Sequence, residues 1–566
     1  MAALLRGRSK RGLDYFASSW EFDIMTIKVN GGAVNKLSFL LGGSRFGNIA
    51  GVLFSGRMKL AAPILAIGAF SCAVLPAQGE VALSAAADRV ESPLRVDMKC
   101  VGTLAPRSVK DIRSSNWTLG CETLDRDFAN FDEYKRFLAP LGIKTIRLQA
   151  GWAKCEKEKG AYDFVWLDRI VDYARAEGLN ILLETDYGNP IYEDGGGWDL
   201  AGGFPTGTAA LDAWDAWVDA ITRHFRGRVR DWAMWNEPDI GEPKKTPEAI
   251  AAFNVRTAKI VKRNIPDARV AGLSLAHNDP AFLEECLKAM GEGVKLFDWI
   301  IYHGYADAPE SSYDNVERQK AVLAKYNPAA KMRQGENGCP SEMATRFALS
   351  WVPWTEVSQA KWDMRRMLGD LGHDVESSVF TICDFNHKGR EINRKGLLRA
   401  NAAKEVVARK IAYGAVQNVA SVFDDSLSRV AKPRISVEDA TIALYEYRSP
   451  GGVPVFVFWQ CADGMKKTGG AAGVLGGGKY APAYVRPGDS CETRPATFYV
   501  NGSPLDDPVW VDLLSGRVFE FPRERQVAHS GGVALLLVPV YDSPCLITER
   551  GFILNSKPGE GESRKD

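Results

Sequence analysis

The chain has 566 residues, 46% of them hydrophobic and 25% charged, the balance of a globular protein large enough for more than one folded core. A formal net charge of +1 removes any electrostatic case for nucleic acid or an anionic membrane surface as a partner. No Cys-x-x-Cys pair, phosphate loop or Gly-x-Gly-x-x-Gly fingerprint occurs, so neither a metal nor another cofactor is expected.

In chain order, Arg57, Met58 and Lys59 precede an apolar run over 60–75 and then Ala77-Gln78-Gly79, a small-x-small cleavage pattern. Residues 58–79 therefore read as an export signal, which predicts a periplasmic or extracellular location. The run is short of the roughly 20 apolar residues that a bilayer span takes, so no integral membrane span is expected. Residues 1–57 are basic and glycine-rich, and are either a leader or a mis-assigned stretch before a true start at Met58. Cys72 lacks the leucine three positions earlier that would argue for lipid attachment. Export permits disulfides, and Cys461 with Cys491 is the candidate pair. Cys121, Cys155, Cys339 and Cys383 read as small buried thiols.

Residues 94–115 read as an extended segment that crosses to the C-terminal domain. From 116 to 412 short apolar runs alternate with amphipathic stretches. Strands are predicted at 118–122, 144–150, 180–185, 230–236, 269–275, 298–303, 331–336 and 377–384. Helices are predicted at 165–176, 211–225, 247–263, 280–290, 313–324, 355–371 and 402–413. Eight strands alternating with helices over about 300 residues fit a (β/α)8 TIM barrel. Over 413–552 strands follow one another without helices, at 441–447, 453–459, 497–500, 510–513, 518–521 and 533–538, which predicts an antiparallel β-sandwich. The glycine-rich loop 466–479 reads as mobile, and the polar tail 553–566 as disordered.

The chemistry sits at two strand ends. The run Asp231-Trp232-Ala233-Met234-Trp235 ends in Asn236-Glu237-Pro238, and Lys331-Met332-Arg333-Gln334-Gly335 ends in Glu336. These are the fourth and seventh strands of eight, and catalytic groups of such barrels stand at the C-terminal ends of strands. Two carboxylates so delivered suit glycoside hydrolysis, one as acid/base and one as nucleophile. Trp-Asn-Glu-Pro on strand four, with a glutamate on strand seven, resembles the clan A retaining glycoside hydrolases, in particular family 39-like and family 5-like enzymes. The resemblance covers 116–412.

It implies that Glu237 is the acid/base and Glu336 the nucleophile, with Asn236 on the sugar 2-hydroxyl and Arg147 beside the nucleophile. Ile301-Tyr302-His303-Gly304-Tyr305 resembles the clan's His-x-Tyr pattern, so Tyr305 would orient Glu336 and His303 would line the sugar pocket. Trp152, Tyr187, Trp198 and Trp354 are candidate stacking platforms for sugar faces. Asp186 and Asp384, at the ends of strands three and eight, are candidate hydroxyl acceptors. Asp384, followed by Phe385, stands where many members of the clan have a tryptophan.

The implied activity is double-displacement hydrolysis of a β-type glycosidic bond in an oligosaccharide or polysaccharide. Long insertions after strands three and seven favour exo action. An endo-acting polysaccharide hydrolase is the alternative, and an inactive carbohydrate-binding protein a further one. Trp459 and Trp510 sit in apolar strand runs, so the sandwich reads as support for the barrel rather than a binding module.

Overall fold

The computed structural model describes residues 93–554, apart from 201, 242–244, 388–390 and 468–479. The predicted leader and export signal lie outside these residues, as do most of the predicted tail and of the predicted mobile loop; the first two tail residues, 553 and 554, end a short helix, Arg550–Leu554. Among the described residues no helix is long and apolar enough to cross a membrane.

The barrel strands are β1 (Trp117–Gly120), β2 (Thr145–Gln149), β3 (Asn180–Thr185), β4 (Asp231–Met234), β5 (Arg269–Leu275), β6 (Trp299–Tyr302), β7 (Lys331–Gln334) and β8 (Ser377–Val379). Each pairs in parallel with its chain neighbour from β1 to β7, and β8 pairs with β1. Parallel bridges Arg333–Glu376 and Asn337–Val379 bring β7 against β8 and all but close the ring. The strands form because both of their faces are covered: β1 and β4 are buried at every position. Leu182, Ala233, Ala271, Trp299 and Ile301 fill the barrel axis, while the alternate residues pack outward against helices.

Helices begin where capping residues stop the preceding loop. Thr246 accepts from Ala249 N ahead of Pro247, Asp279 caps the helix opened by Pro280, and Thr355 and Ser358 form a reciprocal capping box. Val165–Ala176 buries one stripe, Leu167, Ile170, Val171 and Ala174.

Two elements differ from the sequence reading. The last helix is Ile411–Val422, not 402–413. Val406–Arg409 instead pairs antiparallel with Leu398–Ala400, and the helix starts after Lys410, whose Nζ lies 2.6 Å from Asp384 Oδ1. Local helix formers at 402–405 lose to that hairpin, and the apolar 411–422 is helical because it packs against the helix Glu356–Gly372. Strand β8 also stops at Val379 instead of reaching Asp384, and Phe380 is the first residue past its end.

Downstream, two antiparallel sheets of seven and four strands pack face to face. Phe458 and Phe498 meet across them with ring centroids 4.7 Å apart, and Trp510 Nε1 donates to Pro539 O at 3.2 Å. Cys100–Thr103 pairs antiparallel with Arg517–Glu520, so the chain crosses from this unit into the barrel. Trp459 and Trp510 are fully buried. No disulfide joins Cys461 to Cys491, a correction to the candidate pair: Cys461 Sγ faces Thr441 O at 3.3 Å and Cys491 Sγ faces Asp489 O at 3.8 Å.

Candidate active site

Glu237 is set in place by backbone as much as by side chain. Trp235 and Glu237 both take left-handed φ values, 53° and 49°, which turn the chain sharply at the end of β4. A bulge in β5 between Gly272 and Leu275 meets that turn, and Glu237 N donates to Ser274 O at 2.9 Å. Bulges of this kind re-aim side chains at barrel rims. Glu336 follows Gly335, at which a Cβ would stand 2.3 Å from Ile301. Only glycine lets β7 pass so close to β6 before the chain presents its carboxylate.

The two side chains converge in a cavity of about 1100 Å³ at the C-terminal ends of the strands. A Glu237 oxygen, a Glu336 oxygen and a His303 ring nitrogen all lie within 4.8 Å of one another. Arg147, on β2, ties the floor together. Its Nη1 donates to Glu336 Oε2 and Glu122 Oε1, both at 3.0 Å, and its Nη2 to Glu184 Oε2 at 2.9 Å and Asn236 Oδ1 at 2.5 Å. Tyr305 Oη donates to the other Glu336 oxygen at 2.9 Å, and His303 Nδ1 lies 2.9 Å from Glu237 Oε1. Asn236 Nδ2 donates to Tyr187 Oη at 3.1 Å.

These contacts drive the two carboxyls apart in acidity. Burial raises the Glu237 pKa, a tendency that the His303 bond opposes without cancelling and the Glu336 charge reinforces. Burial works against ionisation of Glu336 too. There the His303 and Arg147 charges and the Arg147 and Tyr305 hydrogen bonds outweigh it, and the pKa falls below its ordinary value. His303 is held above the usual imidazole range: burial lowers it, but Glu336 and Glu237 raise it more. The acidity of one carboxyl is thus weakened and that of the other strengthened, the separation that acid/base chemistry on one bond requires. The donor set of Glu237, His303 and Glu336 is close enough to hold a cation, but both Glu336 oxygens already accept from Arg147 and Tyr305, and the guanidinium would repel one.

Of the residues singled out in the sequence, Asn236, Glu237, Tyr305, Glu336 and Tyr187 line the cavity, with Arg147 and His303 buried directly behind them. Five others do not reach it. Trp152 is fully buried, stacked between Tyr192 and Trp217 with its Nε1 donating to Glu156 at 2.5 Å. Asp186 is buried against Gly151 N, and Trp354 packs on Trp362 and under Arg486. Trp198 is 45% exposed and outside the cavity wall. Asp384 is buried in an ion pair with Lys410 and Arg394. The aromatic at the end of β8 that does face the cavity is Phe380, with Phe385 beside it.

Sequence reasoning also missed Glu122, Arg126, Gln149 and Lys395, all on the cavity wall. Glu122 is a third carboxylate on Arg147; burial, outweighing Arg147 and aided by Glu336, raises it to about 7. Its only signal was its place two residues after β1, at a strand end like the others.

Two glutamates this close, one with a raised and one with a lowered pKa, at the ends of strands four and seven of a (β/α)8 barrel are the apparatus of a retaining O-glycoside hydrolase. Inversion needs the carboxyls about 6.5–9.5 Å apart, to admit a water between them and the sugar. A family model for glycoside hydrolase family 42, beta-galactosidase, matches residues 124–228, which include β2 and β3. The fold is shared with a family 39 glycoside hydrolase from the gut symbiont Bacteroides cellulosilyticus WH2, at 16% identity and a TM-score of 0.57 over 79% of this chain and 83% of that one. A monomeric beta-xylosidase from Caulobacter crescentus CB15 and the family 39 enzyme from Xanthomonas axonopodis pv. citri each match at 16% identity and a TM-score of 0.50, over 79% of this chain and 98% of theirs. In fold and in the arrangement of this site the chain resembles the clan A retaining glycoside hydrolases, and it is similar to family 39 enzymes.

Proposed function

We propose that the protein is an exported, exo-acting hydrolase of β-type glycosidic bonds, with Glu237 as acid/base and Glu336 as nucleophile. The observation that carries this reading is the 4.8 Å grouping of the two carboxyls with opposite pKa shifts. Glu336 attacks the anomeric carbon from below while Glu237 protonates the leaving oxygen from the other side. When the glycosyl ester forms, Glu336 loses its charge, and the repulsion that helps keep Glu237 protonated disappears. Glu237 then accepts a proton from the incoming water, and the second displacement restores both groups. Asn236, fixed between Arg147 and Tyr187, offers its amide to the sugar 2-hydroxyl.

Exo action is supported by the walls. Leu200 after β3, Phe347 and Ala348 after β7, and His387 and Asn393 after β8 all contribute to the cavity wall, as loops that narrow a cleft would. Export is supported by the charge and apolar pattern of 58–79. An endo reading draws on the size of the cavity, about 1100 Å³, whose wall also includes Asn278, Asn315 and Arg318.

The test is hydrolysis of a panel of aryl β-glycosides, including the xyloside and galactoside, by the protein and by Glu336→Ala and Glu237→Ala. Turnover of one glycoside, abolished in Glu336→Ala and partly restored by azide in Glu237→Ala, is expected. Depolymerisation of a polysaccharide with no release from any aryl glycoside would replace exo by endo action. Aryl glycoside turnover that survives Glu336→Ala would overturn the assignment.

A further inference from the structure

Three lysines are buried among the described residues: Lys361, Lys395 and Lys410. Burying an ammonium without a counter-ion is costly, so such groups are paired. Lys361 lies 2.6 Å from Asp542 and Lys410 2.6 Å from Asp384. Lys395 is 2% exposed and has no carboxylate within ion-pair distance among the described residues; its Nζ donates only to the carbonyl of Ala348. It is also the only one of the three on the wall of the catalytic cavity. Its Nζ stands 5.3 Å from the centroid of the Tyr305 ring, whose hydroxyl holds Glu336. A sugar seated over Glu336 therefore comes within reach of that ammonium. Asn393 belongs to the same wall. Its Oδ1 accepts the Lys395 backbone N–H at 3.2 Å, and its Nδ2 makes no hydrogen bond within the described residues. An ammonium with one carbonyl acceptor and no paired carboxylate, and an amide Nδ2 with no acceptor, thus belong to the wall of the site among the described residues.

We propose that Lys395 and Asn393 form an anion-recognising wall of the sugar pocket, and that the glycosyl unit cleaved carries a negative substituent, a carboxylate at C5 (a uronide) in the first place. The proposal rests on the reading of Glu336 as the nucleophile. The missing counter-ion is then supplied by the substrate, and the positive charge of the pair Lys395 and Arg147 offsets the carboxylates already in the cavity. Burial holds the ammonium down to about 8 although the Cys339 thiol and the Glu336 and Asp363 carboxylates, none of them within ion-pair distance, pull it upward; an anion seated beside it draws a proton back on.

The experiment compares 4-nitrophenyl β-D-glucuronide and β-D-galacturonide with the glucoside, galactoside and xyloside, and with the glucoside 6-sulfate to separate carboxylate from sulfate. A hydrogen bond to a charged group contributes roughly 1.5–3 kcal/mol, so kcat/KM should favour an anionic glycoside by about 10- to 100-fold. That preference should collapse in Lys395→Met and largely return in Lys395→Arg. Because Lys395→Met could fail to fold, calorimetric titration of the intact protein with D-glucuronate, D-glucose 6-sulfate, D-glucose and D-xylose is run alongside. Tighter anion binding, with proton uptake near pH 8.5 seen as a dependence on buffer ionisation heat, is expected. A lysine that only fastens Ala348 takes up no proton. Glu336-dependent turnover of neutral glycosides without anion preference in either assay overturns the anion wall and leaves the hydrolase reading intact. Anion binding without Glu336-dependent turnover of any glycoside overturns the hydrolase reading instead.

Discussion

Two buried charge clusters, one in the cavity and one between barrel and sandwich, obey opposite rules. At the domain junction every charge has a partner. Glu310 accepts from Arg365 Nε and Nη2 at 2.8 and 2.5 Å and from Trp459 Nε1 at 2.6 Å, while Lys361 is closed off by Asp542, Gly488 O and Ser490 O. In the cavity, Glu122, Glu184, Glu237 and Glu336 share one arginine and one histidine. The first cluster is balanced, and its role is to hold the sandwich against the barrel. The second is short of positive charge: burial, reinforced by the Glu336 charge, raises the Glu237 pKa, while His303, Arg147 and Tyr305 lower that of Glu336. Structural charges are matched one to one; reactive charges are left unequal so that protons have somewhere to go.

Removing the nucleophile should break the comparison hardest. Glu336→Ala is expected to lower kcat by at least about four orders of magnitude, since residues that act as a unit fail together. Its thermal midpoint should stay near that of the parent, because Arg147 keeps Glu122 and Glu184. Glu237→Ala comes next, with a loss of about 10²–10⁴-fold that shrinks as the leaving group becomes more acidic. Steady-state rates on a series of aryl leaving groups check both.

At the junction the outcome should be reversed. Glu310→Ala leaves Arg365 buried without its counter-ion and should cost roughly 3–5 kcal/mol of stability, read by chemical denaturation, while kcat of the folded fraction is unchanged. A change in activity without loss of stability would erase the distinction between the two clusters.

The pH profile sharpens the account with a smaller effect. Activity should fall as pH drops through the depressed Glu336 pKa, because the nucleophile is protonated. It should fall again as pH rises through the elevated Glu237 pKa, because the acid is lost. His303 lowers both carboxyls, so His303→Asn should move both limbs of the kcat/KM profile upward. A shift of one limb alone would separate His303 from one of its two partners.

The barrel was legible because each strand is an apolar run stopped by a polar strand end, and β3 and β5 occupy the predicted residues. The carboxyl pair was legible for the same reason: strand ends are where a barrel delivers side chains. What failed depended on which way a ring or charge faces. Trp152 and Asp384 each follow or extend a strand, as a sugar-binding residue would. Trp152 turns into an aromatic cluster and Asp384 onto Lys410, and neither contact has a periodicity to betray it. Extending β8 to 384 hid Phe380 inside a supposed strand. Lys395 has no signal in the sequence, because burial of a long cationic side chain is set by tertiary packing over Tyr305 and not by its neighbours in the chain.

The central claim, that Glu336 is the nucleophile of a retaining reaction, is tested most directly by covalent trapping. The protein is incubated with the 2,4-dinitrophenyl 2-deoxy-2-fluoro-β-glycoside of the sugar selected by the aryl panel, and peptides are then read by tandem mass spectrometry. The account predicts one fluoroglycosyl unit per chain, carried on Glu336. A label on Glu237 or Glu122, or turnover of the parent glycoside that releases the inverted anomer and leaves no label, would contradict it.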